Sequence, residues 1–356
     1  MTDVFPTRVL TIDPSAPDPQ IIAEAVAVIR AGGLVAFPTE TVYGLGANAL
    51  DEQAVARIFH AKGRPATDPI IAHIADLRQL DVLARDVPPV ARALAQRFWP
   101  GPLTLVVLRR PIVPANLSAG RATVAVRMPS HPVALALITA AGVPIAAPSA
   151  NRFSRPSPTT AAHVLDDLAG RIDLVLDGGP ASIGVESSVI DLTVDPPVLL
   201  RPGGVTVAAL LELAPGLIVE PRYLTGDDEA APAPGMLLRH YAPDATLMMV
   251  AGGREAALAR IRSEALTAIG MGERVGVLAF NEDVSALTDL PVEVATLGSA
   301  TDPEQVAQRL FAALREIERT GVDLILVRDP GQEGLSLAIR DRLVRAAEGR
   351  VIVAEP

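Results

Sequence analysis

The sequence predicts an α/β protein in two parts: a twisted mixed-sheet domain over residues 1–213 and a smaller, Rossmann-like parallel α/β domain over 245–356. Three observations carry this. Short apolar runs of strand length recur between stretches of helical period along the whole chain. In the first part strands and helices do not alternate strictly, which calls for some antiparallel pairs in the sheet. In the last part they alternate regularly, the pattern of a doubly wound parallel sheet.

The elements follow in order. Asp18-Pro19 opens a helix, an N-cap followed by proline in the first turn; Ile22, Val26 and Ile29 share one face and Gly32-Gly33 ends it. Residues 34–37 form a short buried strand. Asp51 caps the next helix, with Val55, Ile58 and Phe59 inward. Residues 70–74 read as a strand, and 89–98 as a helix stopped by the turn Trp99-Pro100-Gly101-Pro102. Strands 103–108 and 123–127, helix 132–141 and strand 143–147 come next, and strands 174–176, 188–192 and 198–200 complete the sheet. Residues 214–244 hold five prolines and the acidic run Asp227-Asp228-Glu229, and read as a long linker. Beyond it lie strand 246–250, helix 254–269 and strands 275–280 and 292–296. A helix capped by Asp302 with Pro303 follows, with Val306, Leu310, Leu314 and Ile317 on its core face. Strand 324–327 and a helix over 335–347 close the domain.

Composition narrows the chemistry. With 356 residues, 49% hydrophobic and 20% charged, the chain can bury a sizeable core. It has no cysteine, which excludes disulfides, thiolate metal sites, iron–sulfur clusters and cysteine nucleophiles. Of 31 basic residues only Lys62 is a lysine. A net charge of −10 rules out a general nucleic-acid footprint but allows a local basic pocket. Met1 to Leu10 has no apolar signal region, and the uncharged stretch 132–151 is broken by Gly142, Pro144 and Pro148. No membrane partner is expected, and the expected location is the cytoplasm.

Lys62 precedes Gly63, so no Walker A loop is present. Gly44-Leu45-Gly46-Ala47-Asn48-Ala49 fits a relaxed dinucleotide fingerprint with Asp68 about twenty residues on, but six residues separate it from the preceding strand, and such a pattern alone is weak. Pro38-Thr39-Glu40-Thr41-Val42-Tyr43 places two hydroxyls, a carboxylate and a phenol on a turn after a buried strand. It is either a capped turn or the wall of a small polar site. Lys62-Gly63-Arg64-Pro65 is either a helix C-terminus with complementary cations or a phosphate clamp. Ser149-Ala150-Asn151, Glu186-Ser187-Ser188-Val189 and Leu200-Arg201-Pro202-Gly203 are polar segments beside strands, where an open α/β sheet builds its crevice. Thr123 and Arg127, four apart on a strand, face one side. His73 on an apolar strand is, taken alone, a core histidine. Asp177, Glu186 and Asp191 read as caps rather than metal ligands.

Taken together, 38–46, 62–65, Phe98-Trp99-Pro100-Gly101-Pro102-Leu103-Thr104, Val126-Arg127-Met128-Pro129, 149–151, 186–189 and 200–203 closely resemble, in order and spacing, the YrdC-type L-threonylcarbamoyladenylate synthases. Pro234-Gly235-Met236 and His240-Tyr241-Ala242-Pro243, with the α/β tail, are similar to the long two-domain form. The resemblance implies a YrdC-like fold for the first domain and the joining of L-threonine, bicarbonate and ATP into threonylcarbamoyl-AMP, with release of pyrophosphate. That product feeds the threonylcarbamoyl modification at position 37 of tRNAs. It also implies a linker that reaches over the active site.

By the same resemblance, Lys62 and Arg64 hold the phosphates and carry the catalysis. ATP is contacted further by Asp68, Thr123, Ser149, Asn151, Ser157, Arg201 and Tyr241. Thr41, Tyr43, His73, Arg127, Ala147 and Ser187 surround L-threonine, with Arg127 on its carboxylate. Mg2+ rides on the ATP phosphates, with no organic cofactor. Downstream tRNA threonylcarbamoyltransferase proteins are the implied partners, with at most a weak tRNA contact.

Two positions depart from the family: Asp68 where asparagine is usual, and Pro148 where threonine is. Asp68 would repel phosphate unless it faces the ribose, the metal or Arg64. The alternative reading is a double-stranded RNA-binding or tRNA-binding module without synthase activity; the acidic total and the 3% aromatic content weigh against it. The related hydrogenase-maturation carbamoyltransferase needs cysteine-rich zinc segments and is excluded.

Overall fold

A computed structural model describes residues 6–219, 231, 238 and 240–355, which fall into two compact units. The second unit runs from Leu238 and also takes in Ser154–Pro156.

The first unit is built on one ten-stranded sheet. Its strands are β1 (Arg8–Thr11), β2 (Val35–Phe37), β3 (Gly44–Asn48), β4 (Ile71–His73), β5 (Leu103–Leu108), β6 (Thr123–Arg127), β7 (Ile145–Ala146), β8 (Leu174–Asp177), β9 (Ser188–Asp191) and β10 (Val198–Arg201). They lie in the order β1-β8-β2-β3-β7-β4-β6-β5-β9-β10. β1–β8, β2–β8, β4–β6 and β5–β9 are parallel, and the other neighbours antiparallel. The sheet is therefore mixed, as the irregular alternation predicts.

Local chemistry fixes the helices. The Asp18 carboxylate accepts from Gln20 N–H and leads into Pro19–Arg30. Asp51 accepts from the N–H groups of Gln53 and Ala54 and starts Glu52–Lys62, which ends at Gly63 with φ 64°. One face of the sheet buries Ala36, Leu45, Ala72, Leu105, Val126 and Ile190 in the main core. The opposite face divides in two. Around β1, β8 and β2, Pro19–Arg30 and Pro132–Ala141 cover Val35, Phe37, Leu174 and Leu176. Around β4, β6, β5, β9 and β10, the apolar cover of Ile71, Ala125, Val106, Val189 and Leu200 comes from Ile218 and Ala231. Ala231 is tied there by its N–H, which donates to the carbonyl of Thr67 at 3.0 Å. The rest of the expected linker lies largely outside the described residues.

The structure alters the reading at several places. Gly44-Leu45-Gly46-Ala47-Asn48 is a strand and not a phosphate loop. A Cβ on Gly46 would lie 2.7 Å from Phe37 Cε1 and 2.9 Å from Ile145 Cγ2, so this glycine allows close packing within the sheet. β1 escapes sequence reading because its residues are mostly exposed. Short helices Leu77–Leu83, Ala161–Leu168 and Val207–Leu211 also form.

The second unit holds β11 (Thr246–Ala251), β12 (Val275–Phe280), β13 (Glu293–Gly298), β14 (Leu324–Arg328) and β15 (Val351–Val353). All pairs are parallel, in the order β13-β12-β14-β11-β15. Helices Arg254–Gly270, Pro303–Arg319 and Ser336–Ala346 connect them; Asp302 caps the second, accepting from Gln305 N–H, and Val306, Leu310, Leu314 and Ile317 are buried. β15 is the strand that the sequence reading lacks. Among the described residues no helix is long and apolar enough to cross a membrane.

Candidate active site

Side chains alternate along a strand. On β4 and β6 that puts His73 and Arg127 on the same face as Ile71 and Ala125, the face whose apolar cover comes from Ile218 and Ala231. His73 and Arg127 are register partners. The polar turn between β2 and β3 is arranged by Thr39, whose hydroxyl donates to Val42 O at 2.6 Å and accepts from the N–H groups of Thr41 and Val42. The capped-turn reading of that segment is thus right for Thr39, while the buried Thr41 hydroxyl bridges Thr39 Oγ1, at 2.9 Å, and a second partner. Thr41 Oγ1 accepts from Arg127 Nη1 at 3.0 Å. Arg127 Nε donates to Gly101 O at 3.2 Å, and its Nη2 lies 2.7 Å from Glu40 Oε1. Arg127 and Glu40 are both buried.

Burial, followed by the charge of Arg127, pushes the His73 imidazole down to about 3, so this histidine is neutral at ordinary pH. Ala147 lies across from Ile71, two residues before His73, and its N–H donates to Ile71 O at 3.0 Å. The Tyr43 hydroxyl donates to Gly179 O at 2.6 Å, and burial, with Asp177 second, raises its pKa. Ser187 Oγ shares a hydrogen bond of 2.8 Å with Thr104 Oγ1. Arg201 Nη2 donates to Ser187 O at 3.0 Å.

The second cluster forms where Glu52–Lys62 ends. Lys62 Nζ donates to the carbonyls of Ser149 at 2.6 Å and Asn151 at 2.5 Å, joining residues nearly ninety positions apart. Burial, reinforced by Arg64, holds its pKa well below the usual lysine range. Arg64 Nε donates to Asp68 O at 3.1 Å and Nη2 to Pro69 O at 2.7 Å; the Asp68 carboxylate sits 2.9 Å from the same Nη2. Asp68 therefore faces Arg64, which offsets part of its charge. Pro148 costs the sheet nothing visible: its carbonyl accepts from Leu45 N–H at 2.8 Å. Asn151 Nδ2 donates to Arg152 O. Ser157 Oγ donates to Glu186 Oε1 at 2.5 Å, and Thr123 is half-buried on β6.

Hydrogen bonds and ion pairs thus join Thr41 with Arg127, the register partner of His73; Lys62 with Ser149 and Asn151; Arg64 with Asp68; and Ser187 with Arg201. Tyr241 belongs to the second unit, where its ring lies 5.4 Å from that of Phe311 and under the Arg342 guanidinium. Pro234-Gly235-Met236 lies outside the described residues. Asp177 and Asp191 cap their own turns, accepting from Gly179 N–H and Thr193 N–H. Sequence reasoning counted the Glu40 carboxylate only as one group of a polar turn and gave no role to Thr104, although both stand inside its motifs. The signal for Glu40 was a charged residue within a run otherwise made for turn capping.

Four buried polar atoms of the first cluster have no hydrogen-bond partner among the described residues: Glu40 Oε1 and Oε2, Arg127 Nη2 and His73 Nδ1. Such atoms are costly in a folded interior. Here a buried donor on Arg127 lies against the acceptor pair of Glu40, with His73 the register partner of Arg127, an arrangement suited to a small ligand bearing both charges.

Comparison with known proteins gives two family matches. Residues 27–203 match a family model described as telomere recombination and named for Sua5, YciO and YrdC; residues 205–348 match one described as threonylcarbamoyl-AMP synthase, C-terminal domain. A threonylcarbamoyl-AMP synthase of Pyrococcus abyssi is 49% identical over 92% of this chain and 94% of its own length. One of Bacillus subtilis is 46% identical over 96% and 97%. The crystal structure of P. abyssi Sua5 complexed with L-threonine superposes with a TM-score of 0.92 at 46% identity, covering 98% of this chain and 100% of that one. The chain belongs to the threonylcarbamoyl-AMP synthase family, in the form that carries both domains.

Proposed function

We propose that the chain condenses L-threonine, bicarbonate and ATP into L-threonylcarbamoyl-AMP and pyrophosphate, the first step of threonylcarbamoyladenosine formation at position 37 of tRNAs. The threonine amine adds to CO2 from bicarbonate and gives a carbamate. A carbamate oxygen attacks the α-phosphorus of ATP, and the bond to pyrophosphate breaks. No covalent enzyme intermediate forms, so positioning and charge neutralisation supply the rate.

The observation that carries this reading is the set of unsatisfied buried atoms on Glu40, Arg127 and His73, in a unit that also buries the cations Lys62 and Arg64. In it, Arg127 takes the α-carboxylate, and Thr41, Tyr43, His73, Ala147 and Ser187 line the pocket. Neutral His73 suits the threonine hydroxyl. Lys62 and Arg64 take the phosphates: protonated beside a phosphate, Lys62 Nζ has a third donor beyond its two carbonyl bonds. Thr123, Ser149, Asn151, Ser157 and Arg201 contact the nucleotide, and Asp68 acts through Arg64.

Mg2+ bound to ATP would neutralise phosphate charge. Among the described residues no group of three His, Asp or Glu could hold a metal, and Asp68 and Glu186 are committed to Arg64 and Ser157. No protein ligand is assigned to it. The product would pass to tRNA threonylcarbamoyltransferase proteins in the cytoplasm. The RNA-binding alternative is not favoured, since Lys62, Arg64, Arg127 and Arg201 are buried rather than displayed to a phosphate backbone.

The test is pyrophosphate release from ATP by the purified chain. Release should require both L-threonine and bicarbonate; release that is indifferent to either one contradicts the reading.

A further inference from the structure

We propose that Glu40 is the amine-side ligand of the amino-acid pocket: it accepts the α-ammonium group of the substrate while Arg127 takes the α-carboxylate. This rests on the reading that the polar site over the paired strands β4 and β6 holds an amino acid.

Glu40 and Arg127 touch without satisfying each other. Oε1 lies 2.7 Å from Nη2, yet neither carboxylate oxygen nor Nη2 has a partner in hydrogen-bonding geometry among the described residues. The misfit is not slack in the surroundings. Arg127 is fixed through Nε on Gly101 O and Nη1 on Thr41 Oγ1, which leaves Nη2 as its open donor. Glu40 is held by its backbone: its carbonyl accepts from Ile183 N–H at 2.7 Å and from Ser182 Oγ at 3.4 Å. Both side chains are more than nine-tenths buried, with 4% and 6% of their surface exposed. A buried ion pair usually gains its stability from aligned hydrogen bonds; this pair holds its charges close and its lone pairs unused.

An amino-acid zwitterion is complementary to that arrangement. Its ammonium carries three donors, and Glu40 offers two open acceptor oxygens. Its carboxylate meets the open Nη2. A ligand with a carboxylate and no amine satisfies only Arg127 and meets repulsion from Glu40. The pair therefore works as a filter for α-amino acids over hydroxy acids.

The experiment is calorimetric titration of the full chain with L-threonine and with 3-hydroxybutanoate, which keeps the carboxylate and hydroxyl and lacks the amine. Wild type should bind L-threonine at least about tenfold more tightly, the order of one charge-assisted hydrogen bond. In Glu40→Gln, threonine should weaken by about 10–100-fold while 3-hydroxybutanoate holds or tightens, because the neighbouring negative charge is gone. If Glu40 only orients Arg127, both ligands weaken together and their ratio is kept; that result overturns the proposal. Should Glu40→Gln not fold, the wild-type ratio decides, and equal affinities refute the filter. Glu40→Asp, which keeps the charge, should keep the preference for threonine. A wild-type chain that binds neither ligand removes the amino-acid reading itself, a different outcome from equal binding.

Discussion

The replacement Asp68→Asn tests the phosphate cluster in two directions at once. Asp68 and Arg64 are paired at 2.9 Å with side chains only 1% and 3% exposed. Removing one partner of a buried pair costs about 3–5 kcal/mol, because the other charge stays buried. The amide fills the same space and can still accept a hydrogen bond, and the Asp68 and Pro69 carbonyls still hold Arg64. The low end, about 3 kcal/mol, is therefore expected. For a domain of this size it lowers the melting temperature by about 6–12 °C. ATP binding should respond oppositely. A carboxylate next to the phosphate-binding guanidinium repels the incoming triphosphate by about 2–4 kcal/mol at an effective dielectric constant of about 20. Taking it away should tighten ATP by about tenfold or more, so that saturating ATP recovers much of the lost melting temperature. Differential scanning fluorimetry with and without ATP, together with ATP titration, reads both. A variant that melts like wild type and binds ATP no more tightly would remove Arg64 from the phosphate site.

Two further outcomes follow from titrating groups. Burial and Arg64 depress the Lys62 pKa in the free protein, and a phosphate placed beside Nζ must raise it again. ATP binding should then take up as much as one proton, and affinity should fall as pH rises through the free-protein value. Calorimetry in buffers of different ionisation enthalpy measures the uptake; finding none in wild type, or an equal uptake in Lys62→Met, would rule out contact with phosphate. His73 titrates near 3 in the fold, against about 6.5 in an unfolded chain. Between those values the unfolded chain binds the extra proton, so stability falls as pH drops below 6.5, by about 1.4 kcal/mol per unit. Urea unfolding at pH 6.5 and 5 should show wild type losing about 2 kcal/mol more than His73→Gln; parallel losses would place a charged histidine in the fold.

Local chemistry made the helices readable. Asp18 before Pro19, Asp51 before Glu52 and Asp302 before Pro303 each set a start that the structure keeps. β3 was hidden because two glycines lower strand propensity, and the compensation is Phe37 on the adjacent strand. β1 was hidden because its pattern is mostly exposed. The motifs named the site's polar residues, but no spacing could pair them. Lys62 meets Ser149 and Asn151 only because β3 and β7 are neighbours. Likewise Glu40 and Arg127 meet across 87 positions only because of the mixed strand order. Glu40 received no contact of its own because a carboxylate beside threonines in a turn looks like a cap until its partner is known.

His73 and Arg127 share a pleat with Ile71 and Ala125, while the residues between them, Ala72 and Val126, belong to the core on the far side. The polar pocket and the hydrophobic core are thus two readings of one alternation. A single inserted residue in β4 or β6 would exchange them, sending a histidine or an arginine into the apolar layer and a methyl surface to the substrate. Such a chain would fail to fold before it failed to bind. Substitution can tune this site in small steps, but length changes within these strands cannot, so variation in chain length should be confined to the loops between them.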